Sequence, residues 1–238
     1  MDATRCCRFA PARCHGGVEM PRRPVLTVMA RWPSPGRCKR RLSADLAERL
    51  TLRAADERAA RIQRRLCEHT MAVGRDLQTS GVLELRLAVS GLGRQHAQRW
   101  GHSLGATSTA LQGEGSLGCR MRRQFLRSAA APSVPRQLMI GADLPGLGCD
   151  ELSSALDALR HVDVVLGPAS DGGYWLIGFS AALLKRPQDW PFSGIPWGDS
   201  AVLEVTLTQC RQRRLTTQLL SQRNDIDHLS DLAPWLSL

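Results

Sequence analysis

Short continuous apolar runs alternate along this chain with longer stretches in which leucines recur three or four residues apart, the periodicities of buried strands and of amphipathic helices. The first run is Val25 to Ala30, reading VLTVMA. It empties into a Pro- and Gly-containing basic loop, Arg31 to Leu42. From Ala44 to about Asp76 the pattern is helical, with Leu46 and Leu50, then Ile62 and Leu66, four apart and arginines on the opposite face. Val82 to Val89 alternates as a half-buried strand. Gly91 to Gly118, punctuated by glycine, reads either as a substrate loop or as a long connection. Leu117 to Ala130 predicts a basic helix, Ser200 to Arg213 a further helix, Thr216 to Leu220 a last strand and Leu229 to Leu236 a closing helix. Strands alternate with helices throughout, which predicts an α/β fold with a mostly parallel sheet and helices on both faces.

The segment Gln137 to Ser180 organises the rest. Leu138-Met139-Ile140 ends at Gly141 and delivers Asp143 to a turn held by Pro145 and Gly146. A helix follows, with Asp150 expected as its N-cap and Leu152, Leu156 and Leu159 on its inner face. Val162 to Leu166 then runs into Gly167-Pro168, and Asp171-Gly172-Gly173 turns the chain into Tyr174 to Phe179. Two acidic turns are thereby expected at the ends of neighbouring strands, where open α/β sheets form their ligand crevices. Carboxylates there, beside glycines that admit a ligand to the backbone, suit a divalent cation carrying phosphate oxygens. The alternative is that Asp143 and Asp171 only make turn hydrogen bonds. The basic loop after the first strand suits phosphate, although it lacks the glycine spacing and Lys-Ser/Thr pair of a Walker A sequence; its alternative is a solvated basic face.

At 238 residues the chain fits one large domain, expected over residues 25–238. Residues 1–24 are basic, rich in Gly, Pro and Cys, and lack a secretory apolar core; a disordered extension is expected there, with Met20 an alternative start. No apolar run is long enough for a membrane span. A net charge of +10 favours anionic partners, either polyanions or the phosphates of a small substrate, and equally fits an arginine-rich surface without function. No zinc finger or RNP motif accompanies it, which argues against nucleic acid. Of the eight cysteines, Cys38, Cys67, Cys119, Cys149 and Cys210 are scattered singly, without the close pairs of zinc sites, so a reduced cytoplasmic location is expected. Cys6, Cys7, Cys14 and His15 lie together but in a segment without apolar pattern.

In these motifs the chain resembles the bacterial radical-SAM/selenodomain-associated transferases, which look like nucleotide-diphosphosugar transferases of the GT-A (Rossmann-like) fold. The resemblance runs from about Val25 to Leu232 and rests on ARWPSPGRCKRRL, QGEGSLGCRM, IGADLPGL, VVLGPASDGGYWLIG and NDIDHLSDL. It implies that Pro35, Gly36, Arg37, Lys39 and Arg41 meet the nucleotide and its phosphates. Asp143 and Asp171 are the implied catalytic carboxylates. Asp143, Asp225 and Asp227 are the implied ligands of Mg2+ or Mn2+, and Gly113, Gly172, Gly173 and Tyr174 line the substrate side. The family often carries Lys-Thr-Arg where Lys39-Arg40-Arg41 stands, and Asp-Leu-Gly-Glu-Arg where Ser116 to Arg120 stands. The implied activity is a metal-dependent glycosyltransferase with a nucleotide-sugar donor and an unidentified acceptor. A nucleotidyltransferase of the CofC-like, guanylyltransferase type, joining a nucleoside triphosphate to a phosphorylated acceptor, is the alternative. A nucleic-acid-binding or non-catalytic member is the further one.

Overall fold

The computed structural model describes residues 23–130 and 136–235. The extension expected over residues 1–24, with Met20 and its Cys/His group, lies outside them except for Arg23 and Pro24. Seven strands form one sheet: β1 (Val25–Arg31), β2 (Glu84–Ser90), β3 (Ser108–Leu111), β4 (Gln137–Gly141), β5 (Val164–Pro168), β6 (Tyr174–Phe179) and β7 (Thr217–Leu219). Their order is β3-β2-β1-β4-β6-β5-β7. All pairings are parallel except those of β6, which is antiparallel to both β4 and β5. The carboxyl ends of six strands and the amino end of β6 therefore share one edge.

The continuous apolar runs are explained by burial on both sides. One face of the sheet packs Leu26, Val28, Leu138 and Ile140 against Cys67, Met71 and Leu77 of α2 (Leu52–Thr79) and Leu152 and Leu156 of α5 (Cys149–Ala158). The other packs Met139, Leu166, Ile177 and Phe179 against Met121 and Phe125 of α4 (Leu117–Ala129), Leu183 of the short α6 (Ala181–Leu184) and Cys210 of α7 (Val202–Gln212). Met139 and Ile140, adjacent in β4, go to opposite faces, as the two-residue period requires.

Four expectations change. The helix expected from Ala44 to Asp76 is two helices, α1 (Arg40–Ala47) and α2, because Thr51 stands extended and its side chain accepts from the amide of Ala54. The N-cap of α5 is Gly148, not Asp150: Glu151 accepts the Gly148 amide, 3.1 Å, while Asp150 lies within the first turn. The glycine-punctuated stretch from Gly91 contains α3 (Arg94–Ser103) and the edge strand β3. Helix α3 buries only Ala97 and Gly101, too little to show a periodic stripe, and Gly101 is where the helix touches Thr109 of β3, an added Cβ falling 1.9 Å from its hydroxyl. The closing helix is a 3-10 helix, Leu229–Trp235.

A third, smaller cluster positions the site. Leu42 and Leu46 of α1, Ala55 and Leu66 of α2, and Ile226 pack together. Ile226 is buried to 3% exposure, and its amide donates to the Asp143 carbonyl at 3.2 Å. In extended chain the residues either side of a buried one face the other way.

Candidate active site

Asp143 follows β4 at the sheet edge, and two cavities meet at its carboxylate. The first, about 540 Å³, lies over the ends of β1 and β4, where the strand order reverses, and is lined by Arg31, Arg37, Lys39, Arg40, Arg41 and Arg120 around Asp143 and Asp227. The second, about 500 Å³, holds Asp171, Asp199 and Asp225, with Gly173, Tyr174 and Trp197 in its wall and Arg41 at its border.

The loop after β1 is tied into shape before any ligand arrives. The Arg37 amide donates to the Ser34 carbonyl at 3.1 Å, the Cys38 thiol to the same carbonyl at 3.3 Å, and the Arg31 guanidinium to the Arg37 carbonyl at 3.0 Å. Gly36 supplies the left-handed turn, φ 70°. Pro35 and Gly36 shape this loop and do not line the cavity, whereas Arg37 and Arg41 do. Lys39 differs from the expectation of an exposed phosphate donor. Its side chain is 3% exposed and its ammonium lies 3.1 Å from Asp143 Oδ2 and 3.3 Å from Asp227 Oδ1. Burial pulls the Lys39 pKa down, but the charges of Asp143 and Asp227 and its hydrogen bonds to them outweigh burial and hold it above the ordinary lysine value.

Each carboxylate is set by a different neighbour. Asp143 Oδ1 accepts from Gln63 of α2 at 3.0 Å. Asp227 also receives Arg41 at 3.1 Å, and its amide is held by Asp231 at 2.9 Å. Asp225, on the other side of Ile226, lines the acidic cavity; burial, then the charges of Asp227 and Asp171, push its pKa up, with Lys39 offsetting part. Asp171 accepts the Gly173 amide at 2.9 Å and Asp199 that of Ala201 at 2.8 Å, turn bonds that leave further acceptor capacity.

Among the described residues no three His, Cys, Asp or Glu side chains form a ready-made metal cage. The arrangement still fits a hard cation, because Mg2+ takes one or two carboxylates and completes its shell with phosphate oxygens and water. Oxygen donors stand beside a basic cavity, and Lys39 offsets only part of the burial and like charge that push the Asp225 pKa up.

The expected substrate-side residues divide. Gly173 and the ring of Tyr174 line the acidic cavity. The Tyr174 hydroxyl does not reach it; it is buried without a hydrogen-bond partner. Gly172 lies against the main chain of Ser200, where a Cβ would sit 2.0 Å from the carbonyl oxygen, so its role is close packing. Gly113 belongs to a further cavity of about 520 Å³, walled by Trp32, Leu92 and Leu111 and sharing Arg31, Arg37 and Arg120 with the basic one. Sequence reasoning missed Gln63, whose signal was a lone amide on the inner face of a helix. It also gave no role to Arg31, Arg120 or Asp199.

The α/β sheet with one reversed strand and its ligand edge is the fold of the nucleotide-diphospho-sugar transferases and cytidylyltransferases. The chain belongs to the family described as "Uncharacterized protein conserved in bacteria (DUF2064)", whose model matches residues 70–199. A protein from Desulfovibrio desulfuricans G20, assigned as a nucleotide-diphospho-sugar transferase, is 27% identical, with a TM-score of 0.70 over 86% of this chain and 82% of that one. Two further structures share the fold. The 4-diphosphocytidyl-2C-methyl-D-erythritol synthase of Anaerococcus prevotii DSM 20548 is 10% identical, with a TM-score of 0.57 over 92% of this chain and all of that one. Rv0371c of Mycobacterium tuberculosis H37Rv, solved in complex with manganese, is 15% identical, with a TM-score of 0.52 over 90% of this chain and 98% of that one. Comparison with curated proteins gives no match. Among the described residues no helix is long and apolar enough to cross a membrane.

Proposed function

We propose that this chain is a cytoplasmic glycosyltransferase that takes a nucleotide sugar as donor, with its diphosphate in the basic cavity. The observation that carries the reading is the junction at Asp143 of an arginine-lined cavity with an acidic one, at the carboxyl edge of a parallel sheet. The adjoining cavity beside Trp32 suits the nucleoside, since it offers a flat apolar wall and shares the basic residues that would meet the phosphates. Arg37 and Arg41 present guanidinium groups to the diphosphate and meet the charge that grows on its leaving oxygen. Asp171, at the acceptor side, receives the proton of the attacking hydroxyl. The acceptor oxygen bonds to the sugar carbon, the bond from that carbon to the diphosphate breaks, and the nucleoside diphosphate leaves with the electron pair. Asp143 with Asp225 or Asp227 would hold Mg2+ or Mn2+, which when bound neutralises phosphate charge. The five cysteines among the described residues are free, as suits a reducing compartment.

Nucleotidyl transfer is the second reading, favoured by cytidylyltransferases sharing the fold and by the acidic segment at Asp225 and Asp227. Incubation with nucleotide sugars and with nucleoside triphosphates separates the two, nucleoside diphosphate marking the first and pyrophosphate the second. Thermal shift with a nucleotide panel, with and without Mn2+, tests both: a ligand at 100 times its Kd adds about 2.7 kcal/mol of stability. Asp143→Asn is expected to remove the Mn2+-dependent part of that shift. A wild-type protein that responds to no nucleotide, or a variant with an unchanged response, ends the proposal.

A further inference from the structure

Lysine occurs at only two positions in this chain, 39 and 185, every other basic residue being arginine. Lys185 is exposed at the end of α6. Lys39 is the opposite case, a buried ammonium lodged between two carboxylates at the floor of the basic cavity. A planar guanidinium makes side-by-side contacts, whereas an ammonium is a compact point charge that several oxygens can surround. The backbone holding it is unusual as well: Lys39 has φ 46° and ψ 49°, the left-handed region that residues with a Cβ seldom adopt, and its side chain makes no capping bond to α1. Left-handed backbone in a non-glycine persists where the surroundings over-determine it. Here the surroundings are the two carboxylates.

We infer that Lys39 and a divalent cation hold the Asp143–Asp227 pair in exchange, the ammonium group occupying it in the free protein and yielding it when the cation enters. Asp143 and Asp227 together with Lys39 and Arg41 sum to zero charge in the free protein, and a divalent cation in place of the ammonium leaves one positive charge, which a phosphate can meet. Gln63 on Asp143 and Arg41 on Asp227 keep both carboxylates in place while it occurs. Lys39 lines the basic cavity, and its four-carbon stem lets the released ammonium reach that cavity, where the proposed donor's phosphates lie. A buried lysine thereby becomes a phosphate ligand only after the cation has arrived, which orders the two binding events.

The inference rests on the cation-dependent reading of the site, and its tests use Mn2+ alone, so they stand whether or not any nucleotide binds. In the first, Mn2+ is titrated without nucleotide and followed by the paramagnetic resonance of the free ion. Lys39→Met, which leaves Asp143 without a cationic partner and Asp227 with Arg41 alone, is expected to bind Mn2+ about tenfold more tightly than wild type. The second uses wild-type protein and acetylation of lysine read by mass spectrometry, with Lys185 as internal reference. Lys39 is expected to react slowly in the free protein and several-fold faster with saturating Mn2+, while Lys185 keeps its rate. Folded Lys39→Met protein with Mn2+ affinity equal to or below wild type overturns the exchange. So does a Lys39 acetylation rate indifferent to Mn2+, and that measurement decides the matter if the variant does not fold.

Discussion

The basic and the acidic cavity share Asp143 and the ring of Tyr174, yet they treat charge in opposite ways. On the basic side three of the cations are already engaged within the loops: Lys39 with two carboxylates, Arg31 with the Arg37 carbonyl, Arg120 with the Gly115 carbonyl at 2.9 Å. On the acidic side Asp171 and Asp199 accept only amides of their own turns, and Asp225 stands desolvated among like charges. The sign of a side chain therefore says less about its role than its present partners do. Helix α4 extends the lesson. Its arginines mark a basic helix in the sequence, but Arg123 binds the carbonyls of Gln112 and Glu114, and Arg122 binds that of Pro187 at 2.8 Å and lies over the Trp190 ring. Arg123 thereby braces the Gln112–Glu114 loop beside the cavity.

Four substitutions would break or sharpen the contrast. The largest effect is expected at Lys39, whose ammonium holds Asp143, the carboxylate at which both cavities meet. Removing a buried partner from an ion pair costs about 3 to 5 kcal/mol, and because Asp143 and Asp227 are 37% exposed, Lys39→Ala should cost about 2 to 3 kcal/mol in urea unfolding at pH 7. The folded pKa of Lys39 is raised, so its contribution is full below the ordinary lysine value of about 10.4 and is lost as pH rises through the folded value. The difference between wild type and variant should therefore stay level from neutral pH to about pH 9.5 and close only in stronger alkali; a difference that closes near neutrality would mean that another group is responsible.

Arg41 is next. Its side chain is 68% exposed, so Arg41→Ala should leave unfolding nearly unchanged while nucleotide affinity, measured calorimetrically at low salt, falls by about 1.5 to 3 kcal/mol. Unchanged affinity would return the loop to a solvated basic face. Arg123→Ala should show the converse: a loss of about 1 to 2 kcal/mol in stability, because two loop carbonyls lose their donor, with a smaller change in nucleotide affinity. The smallest effect is at Asp225, and its sign is opposite. A carboxylate whose folded pKa is raised destabilises the fold, fully above that pKa, and the penalty fades as pH falls from the folded value to the unfolded one, below which it is gone. Asp225→Asn should therefore stabilise the protein at pH 7, by no more than about 1 kcal/mol after solvent screening, with the gain shrinking in acid. A carboxylate kept at such a cost marks a functional position, so the same variant should lose activity.

Much of this was legible in the sequence because it is local. The runs that became β1, β4, β5 and β6 are buried on both faces and read as uninterrupted apolar residues, and the turns after β4 and β5 carried Asp143 and Asp171 to the expected edge. Helix α3 and β3 were not legible, since a surface helix resting on one alanine and one glycine, beside an edge strand, shows no stripe. The pairing of Lys39 was hidden for a different reason: Asp227 lies 188 residues away, and no periodicity reports a contact of that range. The same holds for Gln63, whose amide finds Asp143 only once α2 has packed on the sheet. Ser116 caps α4 by accepting the Cys119 amide, a task that serine and aspartate perform equally well.

Ile226 carries the broadest consequence. An aliphatic side chain wedged between α1 and α2 sets how far apart Asp225 and Asp227 stand and which cavity each one faces. The polar chemistry is thus calibrated by a purely hydrophobic dimension, the width of the pocket that Leu42, Leu46, Ala55 and Leu66 form around Ile226. Trimming or enlarging a neighbour such as Leu42, Leu46 or Ala55 would move the two carboxylates without touching either. Among relatives, a change in donor or acceptor preference could therefore arise from such a repacking while every charged residue of the crevice stayed the same.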